Sequence, residues 1–217
     1  MISDRYPDAD VLEQRGHWDD ATRQVVLDRV HNVPSFHYFD AQARETLEAL
    51  CARIIPQDHR PAARRVPIAP WIDDRCASDT GVGFRFDDMP DDATAWTLGL
   101  AGLDETAQAV AGARFSVLPP DRQDLVLEAI RQGDPPGDVW RRRVPARRWW
   151  IQVALKQISG VYYAHPSAWD EIGFGGPAYP RGYAALNFGA REHWEATEVP
   201  DSPPAISGGA APGAVPS

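Results

Sequence analysis

Between Asp40 and Pro56 the residues Leu47, Leu50, Cys51, Ile54 and Ile55 recur at i, i+3, i+4, i+7 and i+8, a single apolar face of a helix. Asp40 is placed to accept the first free amides of that helix, and Pro56 stops it. The same period returns along the chain. Asp19 or Asp20 can cap a helix running to about Val30, with Ala21, Val25, Val26 and Val30 on one side. Pro70 suits a first helical position, so Trp71 to Arg75 reads as a short helix. Asp91 to Val110 carries Trp96, Leu100, Leu103, Ala107 and Val110 inward. Asp121 to Gln132 carries Leu125, Leu127 and Ile130, and Gly133 closes it. Pro145 opens the last long helix, where Trp149, Trp150, Val153, Ala154, Ile158, Val161 and Tyr162 recur, and Pro166 ends it. No pair of alternating β-branched runs would make a sheet. These spacings predict an all-α fold, an irregular bundle of about five or six helices. One domain with an N-terminal arm takes up residues 1–195. Residues 196–217 are Pro, Gly, Ala and Ser with little else, and are expected to be a disordered tail.

The 217 residues, 43% of them hydrophobic, allow one core. A net charge of −9 excludes general affinity for nucleic acid or an anionic membrane surface. No apolar run approaches ~18 residues, so no helix is expected to span a bilayer. Residues 1–18 show neither an apolar signal region nor a twin arginine, which points to the cytoplasm. Two cysteines are too few for a disulfide framework. Cys51 reads as a small core residue, and Cys76 would pair with it only in an oxidising compartment.

Chemistry-bearing patterns are scarce. Gly173-Phe174-Gly175-Gly176 follows a helix and precedes Pro177, so it is not the strand-to-helix turn that holds a dinucleotide phosphate. The six histidines are scattered, and Asp87-Asp88 and Asp91-Asp92 read as solvated acids leading into a helix. No serine sits in a nucleophile elbow and no Walker motif is present. Catalytic, cofactor-binding and metal-binding residues are therefore expected to be absent.

Two features remain. Arg141, Arg142, Arg143, Arg147 and Arg148 surround the start of the last helix, where positive charge opposes the helix dipole. They read either as a solvated basic turn or as a contact with an acidic partner surface; a nucleic-acid contact is the remote reading. The stretch from Trp169 to Tyr183 carries Gly173, Gly175, Gly176, Pro177, Pro180 and Gly182, and it reads as neither helix nor regular strand. It also carries Trp169, Phe174, Tyr179, Arg181 and Tyr183, the residue types that dominate interfaces. It either wraps its own bundle or meets a partner. The candidate partner interface is thus Arg141, Arg142, Arg143, Arg147, Arg148, Trp169, Phe174, Tyr179, Arg181 and Tyr183.

Phe39-Asp40 followed by Leu47 to Pro56, and Trp169-Asp170-Glu171-Ile172-Gly173-Phe174-Gly175-Gly176-Pro177, resemble the gluconate 2-dehydrogenase subunit 3 family. Tyr6-Pro7, and Gly133-Asp134 before Trp140, are similar too, so the resemblance covers roughly Tyr6 to Trp194. It implies a non-catalytic small subunit that binds, stabilises and helps mature a large flavin-dependent oxidoreductase of the glucose–methanol–choline type. Such a partner oxidises sugars, polyols or sugar acids and holds FAD. A cytochrome c subunit often accepts the electrons, and iron–sulfur or haem c groups, where a complex has them, would sit outside this chain. Family members bearing a twin-arginine signal carry their partner through export; with none in residues 1–18, either the complex stays in the cytoplasm, or a partner bears the signal and takes it to the periplasm, or the signal belongs to a start further upstream. A free-standing helical binding or scaffold protein, and an enzyme with an unrecognised pocket, are the competing readings.

Overall fold

The computed structural model describes residues 5–6, 9–78, 83, 86–184 and 189–199. Among them there is no strand. Asp19 accepts the amide of Thr22 at 2.9 Å and caps α1 (Asp20–His31). Asp40 does the same for Ala43 at 2.8 Å and caps α2 (Ala41–Ile54). The α1–α2 connector is held by Asp73, which is fully buried. Its carboxylate accepts the amides of His37 at 2.6 Å, Tyr38 at 3.0 Å and Phe39 at 2.8 Å. Three backbone donors satisfy a charge that burial would otherwise make costly.

Asp73 lies on α3 (Ile68–Ala77). This helix starts earlier than the Pro70 rule predicts, because proline is tolerated anywhere in the first turn, where amides have no intrahelical partner. Asp91 caps α4 (Asp92–Ala111), accepting from Thr94 at 2.8 Å, and Gly112 ends it in the left-handed region. Then come α5 (Pro120–Gln132), closed by Gly133 at φ 95°, and a short α6 (Asp138–Arg142). Glu105 of α4 caps α6 from outside, accepting the amides of Asp138 at 2.9 Å and Val139 at 3.2 Å. Next, α7 (Ala146–Arg148) continues through a π-helical stretch (Trp149–Leu155) into α8 (Lys156–Ala164). Last is α9 (Pro166–Trp169).

The centre of the fold is α4, which touches α2, α3, α5, α6 and the π-helical stretch. Its glycines make room for indoles: Gly99 lies under Trp149 and Gly102 under Trp140. Trp149 sits 5.3 Å from Trp140 and 5.9 Å from Trp96 between ring centroids. Each indole N–H is satisfied. Trp149 donates to the Ala95 carbonyl at 2.9 Å, Trp140 to the Thr106 hydroxyl at 2.8 Å and Trp96 to the Gln157 amide oxygen at 2.8 Å. This meets the requirement that buried polar groups be paired.

The predicted stripe of the last helix is buried throughout, from Trp149 to Tyr162. Elsewhere the inward faces are narrower than the sequence suggests. On α1 only Val26 is buried, whereas Ala21 and Val25 face outward, Val25 being 54% exposed. Val110 and Leu125 are also exposed, at the end of α4 and on the outer face of α5. Cys51 and Cys76 are buried and free; burial pushes both thiols up, Cys76 to about 12, so neither is a ready thiolate. Among the described residues no helix is long and apolar enough to cross a membrane, and no group of metal-ligating side chains converges.

Candidate functional site

A second, smaller core lies apart from the bundle and is made by Val11, Trp18, Val26 and Trp169. Val11 and Trp18 come from the N-terminal arm, which forms a 3-10 helix (Val11–His17) capped by Asp10. Trp169 is therefore a core residue and not an exposed interface group: it is 6% exposed, and its indole donates to the Tyr163 carbonyl at 2.8 Å. The segment predicted to be irregular from Trp169 begins as helix, since Trp169 ends α9 and Asp170–Ile172 is a 3-10 turn.

The glycines that follow are explained by what lies on them. A Cβ on Gly173 would fall 2.4 Å from the Tyr6 ring, on Gly175 2.6 Å from Trp194, and on Gly176 2.7 Å from Val11 and 2.9 Å from Trp18. Gly173 and Gly176 also have positive φ, 65° and 82°. The glycines let this backbone lie flat against the arm and against the chain's own C-terminal segment. That segment returns to the arm: Val199 N–H donates to the Arg5 carbonyl at 2.7 Å, and Arg5 pairs with Glu198. Residues 196–199, assigned to the tail by composition, thus make defined contacts, and residues 200–217 lie outside the described ones.

Two carboxylates inside the aromatic segment fasten it. Asp170 accepts the Val11 amide at 2.8 Å and the Arg64 guanidinium at 2.6 Å. Glu171 accepts Arg60 Nε at 2.8 Å and the Tyr162 hydroxyl at 2.6 Å. Arg60 is 8% exposed and also donates to the Arg64 and Ser167 carbonyls. Burial opposes the charge on Glu171, but Tyr162 and Arg60 outweigh it and hold its carboxyl below the usual value. Burial raises Asp170 instead. The sequence reading places Tyr162 in a core stripe and Asp170-Glu171 in the family-like segment, but gives none of these groups a fastening role. Arg60 and Arg64 sit in a Pro- and Arg-rich connector, and Asp170-Glu171 is overshadowed by its aromatic neighbours.

Four large side chains of the segment are left exposed. Ile172 is 49% exposed, Phe174 41%, Tyr179 66% and Tyr183 57%. Phe174 stands edge-on to Trp169 at 5.3 Å, and Tyr183 leans on Trp194 at 5.2 Å. Arg181 stacks on that indole itself, 3.7 Å from the Trp194 centroid, and donates to Gln14 at 2.9 Å. It is thus tied to this chain's own arm.

The arginines are divided between α6 and α7. Arg141 and Arg142 occupy the last turn of α6, where their charge suits the helix dipole, and Arg142 faces Asp138 at 3.8 Å. The opposing placement holds only for Arg147 and Arg148, at the start of α7. Arg148 is compensated: it pairs with Asp88 at 3.0 Å and lies over Phe86 at 4.3 Å. Arg141, Arg143 and Arg147 are exposed and make no ion pair among the described residues.

His165 caps α9 with its ring: Nδ1 accepts the Ser167 amide at 3.1 Å. Burial, with Arg60 and Arg29 nearby, lowers its pKa to about 4. The folded state therefore prefers the neutral ring. Its contribution is complete above the unfolded value near ~6.5 and is lost as pH falls from there toward about 4. Protonation would remove the cap acceptor and add a cation beside two guanidiniums. The expected loss is on the order of 3 kcal/mol. His165→Asn keeps a capping group that does not titrate. Urea midpoints measured from pH 7 to 4 should fall less steeply in the variant, and equal slopes would refute this assignment.

A family model described as Gluconate 2-dehydrogenase subunit 3 matches residues 41–176, from the start of α2 to Gly176. That is more than half of the chain, and it includes the fastening carboxylates and Phe174 but neither the N-terminal arm nor Tyr179, Arg181 and Tyr183. No curated protein and no solved structure matches.

Proposed function

The chain belongs to the gluconate 2-dehydrogenase subunit 3 family, and on that premise we propose that it is the non-catalytic small subunit of a flavin-dependent dehydrogenase complex. It binds the large subunit and stabilises it during maturation. FAD and the oxidation of a sugar, polyol or sugar acid reside on that partner, and a cytochrome c subunit takes the electrons. The observation that carries this reading is that the aromatic segment is fastened to its own chain and yet leaves large side chains exposed. Gly173 and Gly176 pack it on the arm and Gly175 on Trp194, while Asp170 ties it to Val11 and Arg64 and Glu171 to Arg60 and Tyr162. Ile172, Phe174, Tyr179 and Tyr183 remain exposed. Rigid backbone with exposed aromatics loses little entropy on docking, which is what a strong contact surface needs.

Co-expression with a large flavin-dependent dehydrogenase subunit from the same genome tests it. The wild type should capture that flavoprotein. Tyr179→Ala, which truncates a side chain 66% exposed, should weaken capture about thirtyfold with the melting temperature unchanged. Capture equal to wild type would remove Tyr179 from the interface. A wild-type chain that captures no flavoprotein would end the accessory-subunit reading.

A further inference from the structure

A cleft of about 230 Å³ opens between α1, α3 and the end of α8, and its walls include none of the aromatic segment. The groups that matter in it are Arg29, Trp71, Asp74, Arg75 and His165. Arg29 spends one donor on the Ala164 carbonyl at 2.9 Å, which fixes the guanidinium in place. Arg75 is exposed. Neither arginine makes an ion pair among the described residues. His165 is 6% exposed. Because its Nδ1 accepts the Ser167 amide, Nε2 carries the hydrogen, and it faces the Arg29 backbone. Two guanidiniums thus gather around one cleft against a single carboxylate, Asp74, in a chain whose overall charge is −9.

A donor-rich, locally cationic cleft with an indole wall is built for a carboxylate, the group that guanidinium forks match best. Its size decides the source. Small-molecule sites usually span ~300–1,000 Å³, and this one is smaller, the space of one side chain. Its surroundings suit an interface as well. Val25, 54% exposed, stands one turn before Arg29 on the same face of α1, and Tyr163, 50% exposed, is next to Ala164. The cleft also borders the beginning of the aromatic segment, since His165 caps α9.

We propose that this cleft receives an acidic side chain, Asp or Glu, from the large partner subunit, as a second contact besides the exposed side chains of the aromatic segment. The inference rests on the accessory-subunit reading. The test is titration of the purified flavoprotein with wild type, Arg75→Glu, Arg75→Lys and Arg122→Glu, the last an exposed arginine of α5 outside the cleft. Arg75→Glu should weaken binding about thirtyfold or more and flatten its dependence on salt. Arg75→Lys should recover most of the affinity, and Arg122→Glu should match wild type. Melting temperatures of all four should agree. Arg75→Glu binding as tightly as wild type would overturn this inference alone, with the accessory role intact. A loss equal to that of Arg122→Glu would assign the effect to net charge and overturn it too. Saturating N-acetylglutamate or succinate bound in the cleft without displacing the flavoprotein would make it a small-molecule site instead. A wild-type chain that binds no flavoprotein would overturn both readings.

Discussion

Replacing Gly99 with alanine is expected to cost about 3 kcal/mol, at the upper end for an overpacked core. Two effects compete. A glycine inside a helix is worse than alanine by up to ~1 kcal/mol, so on propensity alone the change should stabilise. The new Cβ, however, would lie 1.9 Å from Trp149 Nε1 and 2.0 Å from Cε2. That indole cannot step aside. It is fully buried, it packs on Trp96 and Trp140, and it is hydrogen-bonded to the Ala95 carbonyl. Sterics win, and the melting temperature should fall by roughly 6–12 °C. Gly160 provides the control: it is also helical, but a Cβ there meets nothing within 4 Å. Gly160→Ala should leave stability unchanged or raise it by up to ~1 kcal/mol. In Gly99→Ala with Trp149→Phe the smaller ring should yield space, so the two costs should add to less than their sum. Strict additivity would mean that the glycine is not there to seat the indole.

The contrast between Gly99 and Gly173 shows what was legible in the sequence. Period 3.6 identified the long helices and the buried stripe of the last one, because burial against a neighbour imposes that spacing directly. It overran at Val25, Val110 and Leu125, which have the right phase but lie where no neighbour covers them. Phase is a property of one helix, whereas burial needs a second element. The short α6 and α9 carry too few residues for any period to register. At Gly173 to Gly176 the glycines and the aromatic content were plain to see. Which ring covers which glycine was not, because the covering groups Tyr6, Trp18 and Trp194 come from the two ends of the chain. The arginines were read as one cluster on sequence proximity. The break at Arg143 to Pro145, between α6 and α7, gives Arg141 and Arg148 opposite relations to a helix dipole.

The second large effect is expected at Glu171. Glu171→Ala should cost about 3–5 kcal/mol, the usual result of removing one member of a buried ion pair. The cost would come less from the lost attraction than from what remains. The Arg60 side chain is 7% exposed and that of Glu171 16%, so solvent cannot take over the stranded guanidinium. The Tyr162 hydroxyl would lose its acceptor as well. Because the folded state holds the Glu171 carboxyl below its ordinary pKa, its contribution is present above about 4.5 and is lost as pH falls through the folded value. Burial raises Asp170, so its dependence has the opposite sign and partly offsets the acid loss. Glu171→Gln separates charge from shape: it keeps an acceptor for Tyr162 but leaves Arg60 uncompensated, and it should recover little of the stability. Arg60→Met combined with Glu171→Ala removes both charges and should be milder than Glu171→Ala alone. Denaturant midpoints of the four proteins decide the matter. If the double variant is the least stable, the pair is not what fastens the aromatic segment to the bundle. The load would then have to rest on Asp170, with its bonds to Val11 and Arg64.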